Sequence, residues 1–255
     1  YSSASGTQAF LDVTATTTYE YLEVQDINAL TAALFAISSI DNGNNDNWSF
    51  NGGAAVQDGV ELVWTGLGDG VNWEIVSNWF PSVLPGTFAN VIIDTANTIN
   101  INASTSINSL TLGSTTPVAS ILNFNYNAID NPLTVAGGDV LVRNGAIIRH
   151  PAAVSSVIYA VELDVTAGDL TIESGGLIDV DRRGYGSGGP GGTANVSFAD
   201  SGGAGYGGLG GTGGGAAYGS TTNPVQYGSA AGNNYWNVGG DGGGLVRLMV
   251  SGTTT

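Results

Sequence analysis

Residues 133–148 and 163–178 carry one pattern thirty places apart. Leu133, Val135, Gly138-Asp139, Val140, Val142, Gly145 and Ile148 align with Leu163, Val165, Gly168-Asp169, Leu170, Ile172, Gly175 and Ile178. Apolar alternations of three residues, punctuated by glycine corners, read as short strands joined by tight turns. A unit that small has one apolar face and nothing of its own to cover it. Stacking each copy on the next supplies the cover, and a fixed repeat period is the mark of that arrangement. The expectation is an all-β solenoid, a right-handed parallel β-helix with successive coils about 4.8 Å apart.

The same punctuation extends backwards from the repeat. Ile99-Asn100-Ile101, Ile107-Asn108-Ser109-Leu110-Thr111-Leu112 and Ile121-Leu122-Asn123-Phe124 are strand-like runs broken by Asn, Ser, Gly and Asp. Helix signals are weak. In the window 27–37, Ala, Leu and Phe cluster, but the flanks alternate as strands do. Residues 1–52 are expected to form a smaller N-terminal β-rich segment, and residues 60–255 the β-helix segment. Within the latter, residues 184–244 hold 24 of the chain's 41 glycines. A free linker has no use for the Tyr185, Tyr206, Tyr218, Tyr227, Tyr235 and Trp236 scattered through that stretch. It is expected to be an ordered glycine-rich insert that leaves the stack and returns, its aromatics packed on closely approaching backbone.

Charge narrows the function classes. The chain has no lysine, five arginines, 21 acidic residues and a net charge of −16, and no basic residue precedes Arg143. Nucleic acids and anionic membranes need cationic neutralisation and are poor partners for such a field. An acidic surface suits calcium, neutral glycans or solubility. No run of about 18 apolar residues suggests a membrane span. There is no cysteine, so rigidity has to come from ladders of backbone hydrogen bonds rather than disulfides. Both termini read as cuts through a longer protein, since Tyr1 follows no start methionine and the strand Leu245–Val250 has no evident cap.

Three stretches together resemble bacterial secreted surface proteins with parallel β-helix passengers, of the autotransporter and adhesin type. Tyr19–Val24 through Asn44-Asn45-Asp46-Asn47-Trp48-Ser49-Phe50 is similar to the tail of a repeat from large surface proteins. Trp64-Thr65-Gly66, Trp73, Asn78-Trp79 and Pro85 are similar to the opening of such β-helix segments. Tyr206–Gly211, Tyr218-Gly219-Ser220, Pro224, Gly228-Ser229 and Gly239–Leu248 resemble their glycine-rich inserts. The resemblance implies an extracellular, cell-surface scaffold or adhesin and brings no catalytic residues. The expected function is therefore structural, not enzymatic: adhesion, scaffolding or self-assembly into filaments, with partners among glycans, cell surfaces and further copies met end to end. The alternative is a carbohydrate-active enzyme or a glycan-binding module on the same scaffold.

Candidate site residues each have two readings. Trp73 and Trp79, with Trp64, could present stacking faces to a sugar or pack as a mini-core over the open end of the stack. Tyr206 and Tyr218 carry the same choice, with surface contact favoured because glycine neighbours offer little to bury them. Asp41, Asn45, Asp46 and Asn47 have enough oxygens for calcium, which takes six to eight; Asn-rich turns also form for backbone reasons alone. Arg182 and Arg183 follow Asp179-Val180-Asp181 and could serve lyase chemistry, or close a coil by pairing with acids. No further basic residue lies nearby in sequence to help hold an anionic sugar. His150, the sole histidine, is read as structural or surface, because neither a nucleophile elbow nor a second metal ligand accompanies it.

Overall fold

The computed structural model describes residues 9–11, 18–20, 23–29, 34–37, 40–41, 48–51, 60–153, 158–186, 189–192, 202–211, 214–232 and 239–255. Among these residues the chain is all-β, with one 3-10 turn at Val76–Asn78. The N-terminal part contributes β1 (Ala9–Leu11), β2 (Thr18–Glu20), β3 (Glu23–Val24), β4 (Ile27–Ala29), β5 (Leu34–Ile37), β6 (Ile40–Asp41) and β7 (Trp48–Asn51). They form parallel sets β1-β4, β3-β6 and β2-β5-β7. The window 27–37 thus contains two strands, β4 and β5, where Ile27, Phe35 and Ile37 suit pleated pairing.

The remainder builds three sheets in rotation. After β8 (Val60–Trp64) and β9 (Trp79–Phe80) come β10 (Ala89–Ile93), β11 (Thr98–Ile101) and β12 (Thr105–Ile107). The next circuit is β13 (Ser109–Leu112), β14 (Ile121–Phe124) and β15 (Leu133–Val135), followed by β16 (Val140–Val142), β17 (Ile147–Arg149) and β18 (Val161–Val165). A final circuit has β19 (Leu170–Ile172), β20 (Leu177–Ile178) and, beyond the insert, β21 (Val246–Val250). From β10 onward every strand pairs in parallel with the strand three places later, giving the orders β9-β8-β10-β13-β16-β19, β11-β14-β17-β20 and β12-β15-β18-β21. The thirty-residue repeat is the pairing register itself: Leu133 lies beside Leu163, Val140 beside Leu170 and Ile147 beside Leu177.

Register turns the alternating residues into interior columns. Leu62, Val91, Leu110, Val140 and Leu170 form one, Ile99, Leu122 and Ile148 a second, and Ile107, Val135 and Val165 a third, all buried. Each such side chain contributes about 1.5–3 kcal/mol by leaving water. Ile107–Leu112, which reads as one strand in the sequence, is broken at Asn108: Ile107 ends β12 and Ser109 starts β13 in a different sheet. Asn108 turns the corner and donates its amide to Asn90 Oδ1 at 2.7 Å.

Corners are fixed by side chains reaching between circuits. Asp139 Oδ1 accepts the Asp169 N–H at 2.8 Å, and Asp169 Oδ1 accepts the Thr253 N–H at 2.6 Å. The adjoining glycine is obligatory, since a Cβ at Gly168 would overlap the Gly138 carbonyl oxygen. Asparagines do the same on the second sheet, where Asn102 donates to Asn72 Oδ1 at 3.0 Å and accepts from Asn125 Nδ2 at 2.8 Å.

Candidate functional site

The tryptophan-rich stretch covers the leading edges of two sheets. β9 pairs antiparallel with β8, and Trp73 N–H donates to the Asn100 carbonyl at 2.9 Å. Trp64, Trp73 and Trp79 are 1%, 3% and 1% exposed. Trp79 stands edge-on to Trp64 at 5.0 Å and to Trp73 at 4.7 Å, and its indole N–H donates to the Trp73 carbonyl at 2.8 Å. Trp73 and Trp79 are thus buried in a packed aromatic cluster.

What shapes that cap is Asn78, fully buried beside Trp79 in sequence. Its Oδ1 accepts the Gly68 and Gly70 N–H groups at 2.9 and 3.0 Å, and its Nδ2 donates to Asp69 Oδ1 and the Asn72 carbonyl at 2.8 and 2.9 Å. The amide's four hydrogen-bonding positions are all used. Asp69 also accepts from the Val71 and Asn72 backbone. Those bonds, led by the Asn72 N–H and then the Asn78 amide, hold its carboxyl well below the usual range. Gly70 has φ +69°, where a side chain would be strained.

Of the calcium candidates, Asp41 ends β6 opposite Val24; Asn45, Asp46 and Asn47 lie outside the described residues. Among the described residues no cluster of three or more His, Asp or Glu side chains is placed to hold a metal.

The insert is held together by its own backbone. Gly184 N–H donates to Gly242 O at 2.8 Å, Tyr185 to Gly228 O at 3.0 Å, Gly205 to Gly191 O at 2.8 Å, Gly215 to Gly203 O at 3.0 Å and Ala231 to Gly240 O at 3.0 Å. These segments belong to neither helix nor sheet, and they approach so closely that a Cβ at Gly215 would overlap Gly191 O and one at Gly242 would overlap Gly228 O. Glycine here permits contact between backbones. The aromatics fill the seams. Tyr227 is 1% exposed, its hydroxyl meets the Tyr159 N–H, and its carbonyl accepts the Tyr218 hydroxyl. Burial of Tyr227 thus exceeds what glycine neighbours suggested from sequence, because the His150 and Tyr185 rings pack against it. Tyr206 and Tyr218 meet edge to face at 4.9 Å and stay half-buried. Tyr206, Pro224, Gln226, Gly228, Gly243 and Gly244 line an open groove of about 280 Å³.

The insert returns to the sheets at His150, which follows β17 and is fully buried. His150 Nε2 accepts the Leu245 N–H at 3.0 Å, which assigns the ring proton to Nδ1, 2.6 Å from the Pro151 carbonyl. The ring stacks on Tyr227 at 5.7 Å. Burial, against the Pro151 bond and assisted by Arg183, pushes its pKa down to about 4. The sequence reading of a structural histidine gains an address.

The charged residues pair in ways the sequence did not show. Arg182 reaches across the mouth of the insert to Asp241 at 3.3 Å, not to its neighbours Asp179 and Asp181. Arg247 on β21 bridges Glu162, 1% exposed, and Asp130, both at 3.0 Å. Asp130 returns its N–H to Glu162 at 2.8 Å from a left-handed φ of 59°. Burial, the largest influence, raises the Glu162 carboxyl's pKa, and Arg247 opposes it.

Comparison with protein-family models, with curated proteins and with solved structures found no match. No helix among the described residues is long and apolar enough to cross a membrane.

Proposed function

We propose that residues 60–255 form a right-handed parallel β-helix whose role is structural, as a stiff module of an extracellular surface or filament-forming protein. The observation that supports this is the unbroken pairing of each strand with the one three places on, from β10 to β21. Main-chain bonds then run along the whole stack, and the insert hangs from one side as a surface for contact. End-to-end association, glycan or cell-surface binding and a surface location belong to the same reading, supported by the acidic, lysine-free composition and by the resemblance of the Trp64–Pro85 and Gly-rich stretches.

Electron microscopy and small-angle scattering of the 255-residue chain test it. A rod-like particle or fibre is the expected result, and a spherical particle with antiparallel β signatures refutes it. The second reading, a glycan-active module, draws on the Tyr206 groove. Reducing-end and unsaturated-product assays on neutral and acidic polysaccharides decide that. Calcium at Asp41 and 45–47 is tested by the melting temperature with calcium against chelator, where an unchanged midpoint removes it.

A further inference from the structure

The groove beside Tyr206 differs in chemistry from the rest of the chain. None of the described residues that line it carries a carboxylate, a guanidinium or an imidazole, although the protein has 21 acidic residues and a net charge of −16. Tyr206 and Pro224 supply apolar faces, and Leu245 and Val246, where the returning stem becomes β21, supply aliphatic ones. Gln226 is half-buried in the lining, and its side-chain amide makes no hydrogen bond among the described residues. The two tyrosine candidates part here. Tyr206 lines the groove, whereas Tyr218 meets it edge-on at 4.9 Å and gives its hydroxyl to the Tyr227 carbonyl.

The glycine backbone in the lining is already engaged. Gly228 N–H donates to Gly243 O at 2.9 Å, Gly228 O accepts from Tyr185 at 3.0 Å, and Gly244 N–H donates to Val180 O at 2.9 Å. Capture of an extended peptide by strand addition needs a free row of such groups, so a peptide strand is not the occupant this lining suits. At about 280 Å³ the space is at the small end of ligand pockets. It suits a compact molecule with C–H faces to lie on Tyr206 and Pro224 and hydroxyls to meet the Gln226 amide, which both donates and accepts. A pyranose ring has both. Uronic and sialic acids add a carboxylate for which the lining has no cation, in a field that repels anions at range. We propose, resting on the glycan reading of this groove and narrowing it from cleavage to recognition, that it binds one neutral pyranose unit and leaves it intact. Glycoside hydrolysis runs on a pair of carboxylates flanking the scissile bond, and the lining has neither.

Gly243 makes the groove testable. A Cβ there meets nothing within 4 Å and its φ lies outside the left-handed region, so a leucine takes up groove space without displacing a neighbour; Gly240 is equally open and is not part of the lining. Saturation-transfer difference NMR on the 255-residue chain uses the methyl pyranosides of glucose, galactose, mannose and N-acetylglucosamine, with sodium galacturonate and a proline-rich peptide alongside. Signal from at least one neutral pyranoside is expected, and none from galacturonate or the peptide. Gly243→Leu and Gln226→Ala each weaken that binding about tenfold or more, while Gly240→Leu leaves it unchanged. Should Gly243→Leu fail to fold, Gln226→Ala decides. Native affinity in either folded variant overturns the site while leaving glycan binding elsewhere on the protein standing. Silence from every neutral pyranoside, or binding of galacturonate or the peptide in their place, also overturns it; the wider glycan reading falls only if the polysaccharide panel is silent as well. Release of reducing ends from oligosaccharides of the bound sugar refutes recognition without cleavage.

Discussion

Acidification is predicted to loosen the joint between insert and stack through His150. The neutral ring accepts the Leu245 N–H, whereas the imidazolium carries a proton on Nε2 and turns that contact into a clash of donors. The ordinary pKa of 6.5 falls to about 4 in the fold, so the unfolded chain binds the proton more tightly. The stabilisation is complete above about pH 6.5, declines as pH falls towards 4, and is fully lost below it. The shift corresponds to about 3 kcal/mol at that limit and about 2 kcal/mol at pH 5. With a urea dependence of about 2 kcal/mol/M, the unfolding midpoint followed by circular dichroism moves down by about 1 M between pH 7.5 and 5. Carboxylates titrate over the same range, so the comparison is with His150→Gln, whose amide cannot protonate. An identical pH dependence in the variant and the native chain refutes the reasoning.

Asn78→Ala removes the side-chain partner of the Gly68 and Gly70 N–H groups, of Asp69 and of the Asn72 carbonyl and costs about 1–2 kcal/mol, seen as a lower midpoint in tryptophan fluorescence; a loss under about 0.5 kcal/mol would remove Asn78 as the organiser of the cap. Gly242→Ala drives a methyl into Gly228 O and costs about 1–3 kcal/mol, whereas Gly240→Ala, with open space around it, is neutral; equal melting temperatures for the pair would contradict the close approach. Leu163→Ala empties a fully buried column position for about 2–5 kcal/mol, and Leu177→Ala, at 50% exposed, costs much less; the two denaturation midpoints check this.

The all-β, parallel pairing was legible because its constraint is local and repeated. Thirty residues after Leu133-x-Val135, Gly138-Asp139 and Val140-x-Val142 come Leu163-x-Val165, Gly168-Asp169 and Leu170-x-Ile172, and each position pairs with its copy. The break at Asn108 was not legible, since alternation continues through it and only the change of sheet reveals a corner. The fate of the tryptophans was half legible: their spacing implied a cluster, but its burial depends on Asn78, an ordinary residue in the sequence until its four bonds are seen. Least legible were the arginines. Sequence neighbours suggested Asp179 and Asp181 for Arg182, yet the partner comes from the far side of the insert.

Why the insert leaves after β20 without damaging the stack follows from the register on either side of it. Leu163 pairs with Leu248 and Val165 with Val250, so β21 occupies the place that a direct connection would have filled. The corner Ser251-Gly252-Thr253 then sits on Gly168-Asp169 as that corner sits on Gly138-Asp139. The excursion therefore changes no pairing in the stack. Its two ends are tied where they part: Gly244 N–H bonds the Val180 carbonyl at 2.9 Å, Gly184 bonds Gly242, and Leu245 bonds His150. A large side body can be carried at little cost to the stack only if both stems stay joined, and glycine lets the stems touch. The one histidine sits at that joint, between the Leu245 N–H and the Tyr227 ring, which makes it, rather than the tip of the insert, the place where a change of pH would be felt by the fold.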